Sequence, residues 1–305
     1  MTARLEGLVA APFTPMTSDG SLHLEAVEPY AEMLARNGVL GAFVGGTTGE
    51  SLSLTAEERM MLTEAWTDAA PAGLRVIVHV GAESLDEARM LAGHAAETGA
   101  FGTAAMSPTF FRPGDVDGLV AWCEAVAEAA PGLPFYYYHL PGMTGVHVPM
   151  CEFLPAAARR MGNFAGVKYT GEDANDFSLA LDEGGDRLDV LYGQDETLLA
   201  GLALGARGAV GSTYNFAAPL YLRLMEAVAA GEMDTARDLQ RTSRQMIAML
   251  RGVTGAFLPA AKSVMARVGV DCGPVRPPLV SLTEKQVEAV GNVLDDLGFD
   301  AFRNR

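Results

Sequence analysis

The chain has 305 residues, 49% hydrophobic and 20% charged, with a net charge of −16 from 22 Lys+Arg against 38 Asp+Glu. That length and composition fit a globular protein of one large domain or two smaller ones, and the acidic balance works against nucleic acid and anionic membrane surfaces as partners. The three cysteines (Cys123, Cys151 and Cys272) have neither metal-ligand spacing nor a disulfide framework, and neither an apolar signal core nor a run near the ~18 residues of a membrane span occurs, so a cytoplasmic protein without a metal is expected.

Along the chain, short apolar runs alternate with helical patterns. Residues 8–12 read as a first strand, 25–37 as a helix stopped by Gly38, and 41–45 as a second strand. Thr55, with Glu58 three residues on, forms a capping box that opens the next helix. Residues 75–80 make a third strand. Ser84 and Glu87 form a second capping box, for a helix ending at Gly99. Further strands are expected near 102–106, 134–138, 165–168, 190–192 and 208–211, with helices between them that include 116–129 and 196–204.

Strands that alternate with helices predict parallel pairing and right-handed crossovers. Eight such units predict a (β/α)8 TIM barrel. An open doubly wound sheet is the alternative, and it lacks its Gly-x-Gly-x-x-Gly fingerprint here. Past the eighth strand the pattern is all helical, over 220–230, 234–251, 258–268 and 283–297, punctuated by Gly273-Pro274 and Pro277-Pro278. The expected organisation is a barrel over residues 1–220 and an appended C-terminal helical extension over 221–305, packed on it as one structural unit.

A barrel of this kind carries its chemistry in the loops at the C-terminal ends of its strands. After the second strand comes Gly45-Gly46-Thr47-Thr48-Gly49-Glu50. It is either a plain tight turn or a nest whose N–H groups and threonine hydroxyls cradle an anion. An anionic substrate would need such a local site, because the overall charge repels it. The fifth strand ends in Tyr138, and alternation puts Tyr136 and Tyr138 on one face and Tyr137 on the other.

The sixth ends in Lys168. A lysine there either snorkels into water or is a desolvated amine with a lowered pKa, a nucleophile toward carbonyls. After the seventh strand, Asp195 and Glu196 are either first-turn acids favoured by a helix dipole or acceptors for a polyol. Ser212 and Thr213 follow the eighth. The histidines His23, His79, His94, His139 and His147 have no metal spacing and are expected to be structural or at the surface.

Together these segments resemble the pyruvate-dependent class I aldolases of the N-acetylneuraminate lyase and dihydrodipicolinate synthase family, over nearly the whole chain. The resemblance rests on the Gly45–Glu50 motif, Tyr138-His139-Leu140-Pro141, Gly166-Val167-Lys168 and Gly273-Pro274-Val275-Arg276-Pro277-Pro278. Pro134-Phe135-Tyr136-Tyr137-Tyr138-His139-Leu140-Pro141 and Gly208-Ala209-Val210-Gly211-Ser212-Thr213-Tyr214-Asn215 are similar to the lyase branch.

The resemblance implies that Lys168 forms an imine with a 2-keto acid and that Tyr138 moves the proton. It implies further that Thr47 and Thr48 hold the carboxylate, with the Thr47 hydroxyl orienting Tyr138, and that Thr170, Gly193, Asp195, Glu196 and Ser212 line the sugar end. The expected reaction is reversible cleavage of N-acetylneuraminate to pyruvate and N-acetylmannosamine, by a homotetramer, with no metal or organic cofactor. A keto-deoxy sugar acid aldolase or hydratase with the same Lys/Tyr pair is the alternative within enzymes. A catalytically silent binding oligomer is the alternative outside them.

The chain departs from the synthases at two places. Met143 stands where they carry a carboxylate-gripping arginine, and Pro108-Thr109-Phe110-Phe111 offers no tyrosine for a neighbouring subunit. His139 follows the tyrosine where Asn is commoner.

Overall fold

The computed structural model describes residues 4–305. Eight strands close into one parallel barrel in simple sequence order: β1 (Gly7–Ala10), β2 (Gly41–Val44), β3 (Arg75–His79), β4 (Gly102–Ala105), β5 (Phe135–His139), β6 (Phe164–Tyr169), β7 (Asp189–Tyr192) and β8 (Gly208–Gly211). The circle is completed by β1 against β8, with Val9 opposite Val210. The strands read as unbroken apolar runs because a parallel barrel buries both of their faces.

The helices between them are α1 (Val27–Arg36), α2 (Ala56–Ala69), α3 (Leu85–Glu97), α4 (Val116–Ala127), a single turn α5 (Pro141–Thr144), α6 (Met150–Arg160), α7 (Ala174–Gly184), α8 (Leu198–Ala203) and α9 (Tyr214–Ala229). The appended helices are α10 (Met233–Thr254), α11 (Phe257–Val264) and α12 (Glu284–Asp296). Among the described residues no helix is long and apolar enough to cross a membrane, and no group of three or more His, Cys, Asp or Glu side chains is placed to hold a metal ion.

The core has two layers. Val9, Phe43, Ile77, Ala104, Tyr136, Tyr138, Leu191 and Val210 fill the inside of the barrel. Tyr137 and Tyr169 belong to the larger layer between strands and helices. The expected split of Tyr136 and Tyr138 from Tyr137 is present, because the pleat sends successive side chains to opposite faces. At the base of the barrel, the Tyr136 hydroxyl donates to Asp189 Oδ2 at 3.0 Å.

Local signals mark most boundaries. Thr55 makes both halves of its capping box. Ser84 makes only one: its hydroxyl accepts the Glu87 N–H, while the Glu87 carboxylate lies 3.8 Å from the buried Arg59 guanidinium. The cation draws that carboxylate away from the helix end. The stretch expected as one helix over 196–204 is a 3-10 turn, Asp195–Thr197, followed by α8.

The helix after β8 starts at Tyr214, six residues before the expected start at 220 (220 − 214), and runs through the boundary drawn there. Pro219 hides its first turn from the pattern, and the chain bends at Ala217 (φ −136°). That bend frees backbone groups, which must find partners elsewhere. Asn304 supplies them: its amide donates to the carbonyls of Tyr214 (3.1 Å) and Asn215 (3.0 Å), and its oxygen accepts the Ala218 N–H (2.8 Å). The last turn of the chain is thereby tied to the start of α9.

Candidate active site

Two strand positions set the centre of the site. Tyr138 on β5 and Lys168 on β6 are register partners, so both side chains point the same way, into the barrel. Lys168 is 4% exposed. Its Nζ lies 3.9 Å from the centre of the Tyr138 ring and 4.5 Å from that of Phe43. The two aromatic rings wall the Nζ off from water. Two residues earlier, Gly166 lets β6 approach β7: its φ is +150°, and a Cβ there would lie 1.9 Å from the Asp189 carbonyl oxygen.

Tyr138 is fixed by ring contacts and by one hydroxyl. It packs edge-on against Phe43 (5.5 Å) and His79 (5.9 Å). Thr47 Oγ1 lies 3.2 Å from the Tyr138 hydroxyl, so the expected Thr47–Tyr138 contact is present. Thr48 Oγ1 lies 2.7 Å from Ser212 Oγ, which ties the β2 loop to the end of β8.

The histidine reading holds for His79 as a structural group, but the residue also walls the site. Its Nε2 accepts the Met106 N–H at 3.3 Å. Burial, reinforced by the nearby Arg59 guanidinium, pushes it well below the usual histidine range, so its imidazole is neutral.

The β2 loop closes on Glu50, whose φ of 57° puts it in the left-handed region. That conformation costs about 1–2 kcal/mol in a non-glycine residue. The Glu50 carboxylate is buried, bonded to Lys262 Nζ of α11 at 2.8 Å and to the Arg276 N–H at 2.8 Å. In the sequence Glu50 and Arg276 stand out as motif residues but their contact does not, and Lys262 does not stand out at all. A lysine in an ordinary helical pattern carries no sign that it is buried.

The far end of the site is built from β6, β7 and β8. Thr170 follows β6, and its Oγ1 is buried with no partner among the described residues. A Cβ on Gly193 would lie 2.2 Å from that oxygen, so only glycine allows the approach. Asp195 is buried. Its Oδ2 accepts the Thr213 N–H (2.8 Å) and hydroxyl (2.6 Å), while Oδ1 has no partner among the described residues. Burial raises the Asp195 carboxyl to about 6 against the opposing Thr213 hydrogen bonds. Its backbone carbonyl is held from α10 by Gln240 Nε2 (3.1 Å) and Ser243 Oγ (3.2 Å).

Glu196 follows Asp195 in the same 3-10 turn, and its charge adds to the rise of the Asp195 carboxyl. It shares a cleft of about 720 Å³ with Thr170, Gly193, Gln194, His139 and Asp176, whose walls do not include Asp195. Asp195 is bonded to Thr213 in the interior while Glu196 borders the cleft, so the two carboxylates have different surroundings. His139 lies on the outer face of β5, tilted against the Tyr169 ring with centroids 4.9 Å apart. Burial lowers it to about 4, with Asp176 opposing, so it is a neutral wall of the cleft. Met143 is exposed on the same cleft. Phe110 and Phe111 are 79% and 84% exposed, on a loop whose Thr109 and Phe110 N–H groups bond to the Glu83 carboxylate.

Chemically, this is a sequestered amine beside a phenol, with hydroxyls on one side and orphaned polar oxygens on the other. Such a set suits covalent carbonyl chemistry.

The chain is 41% identical to N-acetylneuraminate lyase of Xenopus tropicalis over 281 residues, 91% of this chain and 92% of the relative. Among solved structures, Proteus mirabilis N-acetylneuraminate lyase superposes with a TM-score of 0.93 at 38% identity, covering 97% of this chain and 100% of that one. The N-acetylneuraminate lyase of Aliivibrio salmonicida gives 0.94 at 37%, covering 98% of each. Residues 4–297, barrel and extension alike, match the Dihydrodipicolinate synthetase family, and the chain belongs to it.

Proposed function

We propose that the chain is a class I aldolase that cleaves N-acetylneuraminate reversibly to pyruvate and N-acetylmannosamine through an imine on Lys168. The observation that carries this reading is the placement of Lys168 Nζ 3.9 Å from the Tyr138 ring, deep in the barrel mouth.

Each step balances with these groups alone. Lys168 attacks carbon 2 of the open-chain keto acid. Tyr138 gives its proton to the departing hydroxyl, water leaves, and a protonated imine remains beside a phenolate. The imine draws in the electron pair of the bond between carbons 3 and 4. The carbon-4 hydroxyl proton passes to the Tyr138 oxygen, and the aldehyde departs. The enamine takes that proton back on carbon 3, and hydrolysis of the imine frees pyruvate. Thr47 steadies the Tyr138 oxygen through their 3.2 Å hydrogen bond.

Thr47 and Thr48 receive the keto-acid carboxylate, a local anion site on a chain of net charge −16. Thr170 and Asp195 serve the sugar end. A buried polar atom without a partner costs about 1–3 kcal/mol, and substrate hydroxyls would satisfy both Thr170 Oγ1 and Asp195 Oδ1. Gly193 makes room there, Ser212 braces Thr48, and Glu196 offers its carboxylate from the cleft. The electron sink is the imine, so the scheme uses no metal or organic cofactor.

A homotetramer in the cytoplasm belongs to the same reading. The edge-to-face pair of exposed rings, Phe110 and Phe111, offers apolar surface for assembly, and sedimentation measures the copy number.

The test is pyruvate release from N-acetylneuraminate beside several keto-deoxy sugar acids, with borohydride trapping of pyruvate on Lys168. Cleavage of N-acetylneuraminate with trapping supports the proposal. Trapping with cleavage only of the other acids moves the substrate to the keto-deoxy class. No trapping removes the aldolase reading.

A further inference from the structure

Glu50 is the one non-glycine residue with positive φ among those described, and it closes the loop that carries Thr47 and Thr48. Its N–H donates to the Thr47 carbonyl at 3.1 Å. Any change in the Glu50 backbone therefore moves Thr47, and Thr47 touches the Tyr138 hydroxyl. The loop is held on its other side by Thr14, whose hydroxyl donates to the Gly49 carbonyl at 2.6 Å.

The side chain explains how Glu50 stays in that conformation. The Glu50 and Lys262 side chains are 0% and 1% exposed and meet at 2.8 Å. The second carboxylate oxygen takes the Arg276 N–H at 2.8 Å. Both donors come from the C-terminal extension. The Arg276 guanidinium donates at the same time to the Ser53 carbonyl and the Glu58 carboxylate, so it grips the chain just beyond the loop.

A buried ion pair is weak evidence for stability, since well-packed apolar side chains often do as well. It does impose direction. Two donors on two oxygens of one carboxylate leave Glu50 a single orientation, and that orientation fixes its backbone.

We propose that Lys262 is a positioning residue. Acting through Glu50, it holds the loop of residues 45–50 in the shape that receives the keto-acid carboxylate and keeps Thr47 on Tyr138. The helical extension thereby sets the affinity of the site for the keto-acid carboxylate through the loop of residues 45–50. This rests on the aldolase reading above.

The test titrates pyruvate in borohydride trapping on the full-length chain, with mass spectrometry reading the fraction of Lys168 modified. The variants are Lys262→Met/Glu50→Gln, which removes both charges together, and Glu50→Gln alone, a milder change that keeps an acceptor. Tyr136→Phe, at the base of the barrel, controls for loss of stability. Expected is a rise of about tenfold or more in the half-saturating pyruvate concentration for the double variant, as losing a charge-assisted contact implies, with the same end-point of labelling. Tyr136→Phe should label like wild type.

A wild-type titration curve in a folded double variant overturns the proposal. So does an equal shift in Tyr136→Phe, which would make the effect one of general stability. If the double variant does not fold, Glu50→Gln is decisive: a raised half-saturating concentration supports the proposal and a wild-type curve overturns it. Wild-type protein that takes no pyruvyl group on Lys168 overturns the aldolase reading itself, and this proposal with it.

Discussion

Tyr138 and Lys168 occupy one register position on adjacent parallel strands, with Lys168 Nζ 3.9 Å from the centre of the Tyr138 ring. Strand pairing alone brings them together, so no loop has to move to assemble the pair. A site built on strands is held more precisely than one built on loops.

The two residues have separable roles. Lys168→Met should abolish pyruvate trapping. Tyr138→Phe should keep trapping while kcat falls by about 10²–10⁴, the usual contribution of a positioned acid/base. Thr47→Val removes the 3.2 Å contact to the phenol and should cost about fivefold in kcat, the equivalent of one ordinary hydrogen bond. Steady-state kinetics with mass spectrometry of the trapped adduct checks all three.

Asp195 should leave a signature in the pH profile. Its carboxyl is raised to about 6 by burial. Above that pH it is an ionised acceptor for a sugar hydroxyl, and below it is protonated and accepts more weakly. Wild-type KM for N-acetylneuraminate should therefore rise as pH falls below about 6. Asp195→Asn should raise KM at neutral pH and lose that inflection. An unchanged inflection in the variant would assign it to another group.

His139 links stability to pH. Its folded-state value is lowered to about 4, against about 6.5 when unfolded. Between those values the unfolded state binds more protons, so stability is lost as pH falls from about 6.5 to 4, by about 3 kcal/mol at most from this residue. His79, lowered in the same sense, adds to the loss. Asp195 works in the opposite sense, because a raised carboxyl gains stability as pH falls through about 6. The net curve mixes these terms, so the expected outcome is a difference: urea midpoints of His139→Asn should fall less steeply than wild type between pH 6.5 and 4.

Lys262→Met alone leaves the Glu50 carboxylate buried with its cation gone. It should destabilise the fold by about 3–5 kcal/mol, and adding Glu50→Gln should restore most of that. Urea unfolding of both variants against wild type measures the difference.

Much of the barrel was legible because its signals are local. Alternation placed Tyr138 inside and Tyr137 outside, and the Thr55 capping box marked the start of α2. Position at a strand end singled out Lys168, and the loop after β2 offered Thr47 for the contact that Tyr138 makes. The Ser84 box was half right because Arg59, 28 residues before Glu87 (87 − 59), competes for that carboxylate. The start of α9 was missed because Pro219 masks a turn that Asn304, near the far end of the chain, makes possible.

The sequence by itself determined the order of strands and helices, the face each strand residue takes and the catalytic candidates at strand ends, since period-two alternation and caps act within a few residues. Only the tertiary structure decided that Glu50 is locked by Lys262 across 212 residues, that Asp195 is buried against Thr213 while Glu196 borders the cleft, and that His79 backs the phenol. Contacts of that range depend on how the helices fold back on the barrel, and no local periodicity records it.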